Sequence, residues 1–430
     1  MKDTTPEVLL LLLWVVVTRI GYLHAAKLGI EFGPIPLFLT DITLISLFAL
    51  SLVNHPARCL VWMTSGSGAG ASGYAVWLLC LVAFVYFVCA LRDYGVFALR
   101  DLAIYCYCFF FPLVFFAVQN RRTAIKITRY FVYSGVVLGG LLVLEWSSGL
   151  NTGLFSPATR VFSGHNFYAL GSDDVGGIIA FALSGLFAYI ALGSDHRLLH
   201  TACAILCLLG LAISTVRSAT LGVALSAGLT FIALDNRRRV IFCGVFGFAV
   251  LCSLAIAFAP PAVPLSGLFR SFYSGLVSGT TDSADPTAKF RVLRWDYAVN
   301  LWLTHPILGV GFGVPIIPSY LVDRYEFAGK FNSGMPHNSF LFLLERTGLF
   351  GFALVTLCWL SGIVRLLRHA KQAQLADDLA VANILIAMVG FGSFVLFLER
   401  PMNDAAFWIV AAVGQRMLRT PYLAANADLG

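Results

Sequence analysis

The chain has 430 residues, 59% of them hydrophobic and 12% charged, with a formal net charge of +7. A water-soluble domain carries about 25% charged residues, so a soluble enzyme is excluded. Runs of about 20 apolar residues recur along the whole length, enough to cross the hydrocarbon core of a bilayer. The pattern reads as an all-α polytopic membrane protein. A β-barrel would show short alternating segments instead, and nothing points to nucleic acid.

Twelve spans are predicted in chain order, at about 7–23, 35–53, 74–91, 101–119, 127–147, 174–193, 198–214, 217–234, 240–259, 337–364, 379–398 and 402–418. The first has no small-residue cleavage site and reads as a retained helix. The stretch 198–234 is split because its length fits two passes and its middle is polar, with Ser214, Thr215, Arg217 and Ser218. Nearly all of the ten Cys lie inside apolar runs, and there is no CxxC pair. Cys in such runs acts as a small buried hydrophobe.

Lys and Arg orient the chain. Arg58, Arg121, Arg122, Lys126, Arg129, Arg197, Arg237, Arg238, Arg239, Arg365, Arg368, Lys371, Arg416 and Arg419 fall on one side. Lys27, Arg92, Arg100, Arg160, Arg217 and Arg400 fall on the other. The positive-inside rule makes the first side cytoplasmic. The chain then divides into helices 1–9 over residues 1–259, a large outer loop over 260–336, and helices 10–12 with a short cytoplasmic tail over 337–430.

Within the outer loop, Val292, Trp295, Val299 and Trp302 recur at helical spacing while Arg291 and Arg294 occupy another face. This predicts an amphipathic helix lying at the outer membrane boundary. Topology does not explain the outer arginines. Each alone has a plain explanation, because boundary arginines commonly snorkel to headgroups. Together they suit a polyanion, since guanidinium groups match phosphate oxygens with forked hydrogen bonds.

The stretch GMPHNSFLFLLERTGLFG covers 334–351. Pro336 suits a first helical turn, which would put His337 at a helix N-terminus. There the positive dipole end favours neutral imidazole and nearby anions. A neutral imidazole can accept a proton, as a general base must. Asn338 and Ser339 add hydrogen-bonding groups. Gly348 and Gly351 would allow close helix packing, and Glu345 could partner a buried arginine. There is no HExxH, DxD or Walker motif, so no cofactor and no metal site is expected. The only adjacent outer acidic pair is Asp173–Asp174, and Asp282 and Asp285 sit in the polar loop.

His337-Asn338, nine residues, then Gly348-x-x-Gly351 resembles the signature of bacterial O-antigen ligases. STVRSATLGVAL resembles that family's Arg-bearing helix start and gives Arg217. FRVLRWDYAVNLWLTHPILGVGFG resembles its outer-loop segment of Arg, Trp four residues on and a Pro-x-x-Gly-x-Gly turn, and gives Arg291. TRVFSGHNFYALGSDDVGG resembles a looser family segment and gives Arg160, although His165-Asn166 and Asp174 depart from it.

The resemblance implies a GT-C-like, inverting, metal-independent glycosyltransferase of the bacterial inner membrane with a periplasmic active site. Its donor would be a glycan on undecaprenyl pyrophosphate and its acceptor a sugar hydroxyl of lipid A–core, with membrane lipids around it. His337 would be the base and Arg217 and Arg291 would hold the pyrophosphate. Arg160, Arg294, Asn338 and Ser339 would bind substrate. An O-antigen polymerase differs only in its acceptor. A polyprenyl-glycan transporter, from another class, would show two related halves and broken midplane helices.

Overall fold

A computed structural model describes residues 5–20, 27–32, 35–67, 70–148, 155, 157–162, 165–170, 173–193, 196–214, 216–244, 246–247, 286–314, 336–395, 398 and 400–419. The helices are α1 (Pro6–Ile20), α2 (Leu39–Asn54), α3 (Pro56–Ser65), α4 (Gly70–Tyr94), α5 (Val96–Cys106), α6 (Phe110–Ala117) and α7 (Arg121–Ser148). They continue with α8 (Asp173–Leu192), α9 (Arg197–Ser214), α10 (Arg217–Ala233), α11 (Pro286–Thr304), α12 (Ser339–Ala373), α13 (Ala376–Gly392) and α14 (Pro401–Arg419).

The split of 198–234 stands as α9 and α10, with Val216 as the N-cap of the second. Among the described residues, six helical spans are long and apolar enough to cross a membrane, or seven if the bent pair α2–α3 is one span. These do not include α1, α10, α13 and α14. The shortfall from twelve has a physical reason in α13 and α14. Both are buried along nearly their whole length by other helices. A helix shielded from lipid can be shorter and more polar, and α14 buries Asn403, Asp404 and Gln415. The far half of the predicted span 240–259, and residues 260–285 and 315–335 of the outer loop, lie outside the described residues.

Two small antiparallel hairpins that were not expected join the helices: β1 (Lys27–Phe32) with β2 (Ile35–Phe38), and β3 (Pro157–Phe162) with β4 (His165–Leu170). The span predicted from residue 35 therefore starts as strand, and its helix begins at Leu39.

The core centres on α8 and α13, each buried between neighbours. Between α8, α10 and α13 runs a polar seam. Ser226 donates to Ser184 at 2.8 Å, and the Asn383 amide donates to Thr230 at 2.7 Å. Such bonds join helices where the hydrophobic effect gives no preference for protein over lipid.

The two ends of the bundle carry different contacts. At one end Arg121 meets Asp378 at 2.5 Å, Arg238 bonds Gln374, Arg416 bonds the Gln119 carbonyl, and Asn54 bonds Glu7. The opposite end gathers both hairpins, the starts of α8, α10, α12 and α14, and the turn that follows α11.

Candidate functional site

α12 begins at Ser339, three residues after the proline that was expected in its first turn. Asn338 is its N-cap, and its side-chain oxygen accepts from the Phe340 and Leu341 amides at 3.0 and 3.1 Å. His337 therefore precedes the cap, and Pro336 lies outside the first helical turn. Its backbone is left-handed at φ 53, and its side chain is half-buried. A non-glycine residue in this region is strained by about 1–3 kcal/mol, and such residues cluster at functional sites.

Ser339 is buried. Its hydroxyl donates to the Val395 carbonyl at 3.2 Å and accepts the Leu398 amide at 3.1 Å. It ties the start of α12 to the connection between α13 and α14. That connection leads to Arg400, which is paired with buried Asp174 at the start of α8. The Asn403 amide donates to the other Asp174 oxygen at 2.7 Å.

Ten residues into α12 the helix breaks at Gly348, with φ 62 and ψ −166. The turn after α11 fills the break. Val310 and Gly311 amides donate to the Glu345 and Arg346 carbonyls at 2.7 and 3.2 Å, while Leu349 and Phe350 amides donate to Pro306 and Ile307 carbonyls at 2.9 and 3.1 Å. A Cβ on Gly348 would collide with the Ile307 carbonyl, and one on Gly309 would meet the backbone of Arg346 and Gly348 at 2.6 Å. Gly348 thus serves a backbone-to-backbone joint rather than helix–helix packing.

The buried arginine beside this joint is Arg346. Its Nη1 donates to the Gly311 and Val314 carbonyls at 3.0 and 2.8 Å, and its Nη2 lies 3.1 Å from Asp101, both side chains fully buried. Asp101 also accepts the Gly313 amide at 2.8 Å. Glu345 is buried too, but the carboxylate on Arg346 is Asp101 of α5. Phe312 seals the joint against Tyr86 and Tyr105.

α11 turns its arginine face toward the protein. Arg294 and Ala298 are fully buried and Arg291 is half-buried, whereas Val292 and Leu293 are 60% and 52% exposed. The arginine stripe faces protein and the leading apolar residues face outward. Trp295 fixes this rotation. Its indole donates to the Pro336 carbonyl at 2.8 Å, beside His337, and its ring packs on Phe394 at 5.6 Å.

Arg217 is the first residue of α10, next to Val216, whose side chain fills the space above Gly176 of α8, two residues from Asp174. Arg160 lies on β3, opposite Phe167. The start of α12, the arginine helix, the start of α10 and the Asp174–Arg400 pair thus share one end of the bundle. Asp282 and Asp285 lie outside the described residues. Among the described residues no three His, Cys, Asp or Glu form a group that could hold a metal ion.

Sequence reasoning did not single out Arg346, nor two further charged residues. Arg19, inside the first apolar run, is 3% exposed with its guanidinium 3.3 Å from the Phe131 ring centroid. Its signal was visible, since a cation within an apolar run is costly and marks a specific role. Asp101 gave no comparable signal, because its partner comes from a distant helix.

These features define a polytopic helical membrane protein with a charged end built around a broken helix and an interlocked glycine turn. Residues 202–356, which include α10, α11, that turn and the start of α12, match the family model described as O-antigen ligase. That stretch of the chain carries a domain of the O-antigen ligase family. No curated protein matches it. The family's enzymes are ligases or polymerases of the glycosyltransferase kind, acting on lipid-linked glycans.

Proposed function

We propose that the protein is an O-antigen ligase: it moves a glycan from undecaprenyl pyrophosphate to a sugar hydroxyl of lipid A–core. In this reading it spans the bacterial inner membrane about twelve times, GT-C-like, with both termini cytoplasmic and the His337 end periplasmic. His337 takes the proton from the acceptor hydroxyl. The oxygen forms a bond to the donor's anomeric carbon as the bond from that carbon to the pyrophosphate oxygen breaks. The electron pair leaves with the pyrophosphate, whose charge Arg217 and Arg291 hold. One displacement inverts the anomeric carbon. No metal or ATP takes part.

The observation that carries the reading is the Trp295–Pro336 bond, which joins the arginine helix to the residue beside His337. Buried Arg294 belongs to that same stripe. Ser339 is committed to the 395–398 connection and Asn338 caps α12, so both are proposed to position His337 rather than to touch substrate. Arg160, on its hairpin, is proposed to reach the donor from the side.

The test is transfer by purified protein with lipid-linked glycan, lipid A–core and excess EDTA. Glycan joined to lipid A–core in one step, abolished by His337→Ala in a folded protein, is the expected result. A longer glycan still on undecaprenyl pyrophosphate would make the enzyme a polymerase. Activity lost to EDTA and restored by Mg²⁺ would overturn the metal-free mechanism.

A further inference from the structure

The end opposite His337 holds a second feature that the transfer reaction does not use. α2 and α3 meet at a bend of 112°, so α3 runs across the bundle end rather than through it. Cys59 and Trp62 of α3 face the protein, while Leu60, Val61 and Met63 are 62%, 49% and 46% exposed. The Trp62 and Trp77 indoles tie it to α4, donating to the Gly73 carbonyl at 3.2 Å and from α4 to the Met63 carbonyl at 2.9 Å. An apolar-faced helix across the bundle, held by tryptophans, marks the level of the membrane–water boundary.

At that level α3, α6 and α14 enclose a cavity of about 340 Å³, lined by Ala57, Arg58, Val61, Phe115, Phe116, Arg416 and Arg419. Its walls divide by chemistry. Phe115 and Phe116 are buried aromatic floor, and three guanidinium groups ring the mouth. Arg416 and Arg419 both lie over the Phe115 ring, at 5.4 and 5.0 Å from its centroid. Arg416 also donates to the Gln119 carbonyl, and Arg419 lies against the backbone at Gly70. Among the described residues that line it there is no carboxylate. Three like charges held around one space raise its affinity for an anion, and their donors suit phosphate oxygens.

We propose that this cavity binds the phosphate of an anionic phospholipid from the leaflet at the basic end, with the start of its acyl chain along Val61 and Phe116. A charged mouth over an aromatic floor matches a headgroup joined to an apolar tail. Basic pockets between helices at this level are suited to such headgroups.

The experiment follows thermal unfolding of the purified full-length protein as lipid is added. Phosphatidylglycerol should raise the midpoint by about 2 °C or more over the same mole fraction of phosphatidylcholine. Native mass spectrometry should retain the anionic lipid. Arg58→Gln with Arg419→Gln should remove the difference; both side chains are exposed, so folding should survive. Ala57→Trp keeps all three charges but fills the cavity, and it should remove the difference as well. An unchanged difference in either variant would overturn the site. Inorganic phosphate alone giving the same shift would overturn the lipid assignment.

Discussion

His337 holds a backbone conformation that its side chain makes costly. That cost makes a testable pair of variants. His337→Gly removes the side chain and the strain together, so it should unfold no lower than wild type, and higher by roughly 1 kcal/mol. It should nevertheless lose transfer as fully as His337→Ala. Thermal unfolding and the transfer assay on the same preparations check this; a glycine variant with reduced stability would remove the strain argument. Arg346 offers a second test. Removing one member of a buried ion pair costs about 3–5 kcal/mol, because the other charge is stranded. Arg346→Met alone should therefore destabilise strongly, and Asp101→Leu added to it should restore part of the loss in chemical denaturation. His337 and Arg291 were singled out from the sequence because their motifs are local. The Arg346–Asp101 pair was not, since nothing at either position names a partner on another helix.

Among the elements, the joint between α12 and the 305–314 turn matters most. Gly348→Ala places a Cβ against the Ile307 carbonyl in a left-handed backbone, so it should cost at least about 2 kcal/mol. Because the joint also sets where the start of α12 lies relative to α11, transfer should fall more than stability does. A variant with wild-type kcat would separate the joint from the site. The spacing Gly348-x-x-Gly351 reads equally well as helix packing, and a positive φ leaves no mark on spacing. The inward face of α11 was not legible for a related reason. Helical period was visible, but which stripe turns inward depends on whether the surroundings are water, lipid or protein. The hairpins had weak signals, a two-residue step between Phe162 and His165 and another between Phe32 and Ile35, within runs too short to stand out beside the helices.

For the whole molecule, the distribution of Lys and Arg along the sequence proposes which end is cytoplasmic. Composition could not give the number of crossings, because helices shielded inside the bundle need neither the length nor the apolarity that lipid demands. Orientation is open to direct measurement. With exposed Cys89 and Cys243 replaced, Thr304→Cys should react in intact cells, with the outer membrane permeabilised, with a maleimide that cannot cross the inner membrane. Ser67→Cys should react only after that membrane is opened. The reverse pattern would put the site in the cytoplasm and exclude a periplasmic acceptor.

The two anchors flanking residues 315–335 act separately. Val314 is gripped by Arg346 at one boundary, and Pro336 is gripped by Trp295 at the other. Both grips are made by side chains outside residues 315–335, so Val314 and Pro336 are each held independently of that stretch. Losing either grip, by Arg346→Met or Trp295→Phe, should therefore loosen one boundary and leave the other in place, which hydrogen exchange around the two positions would check.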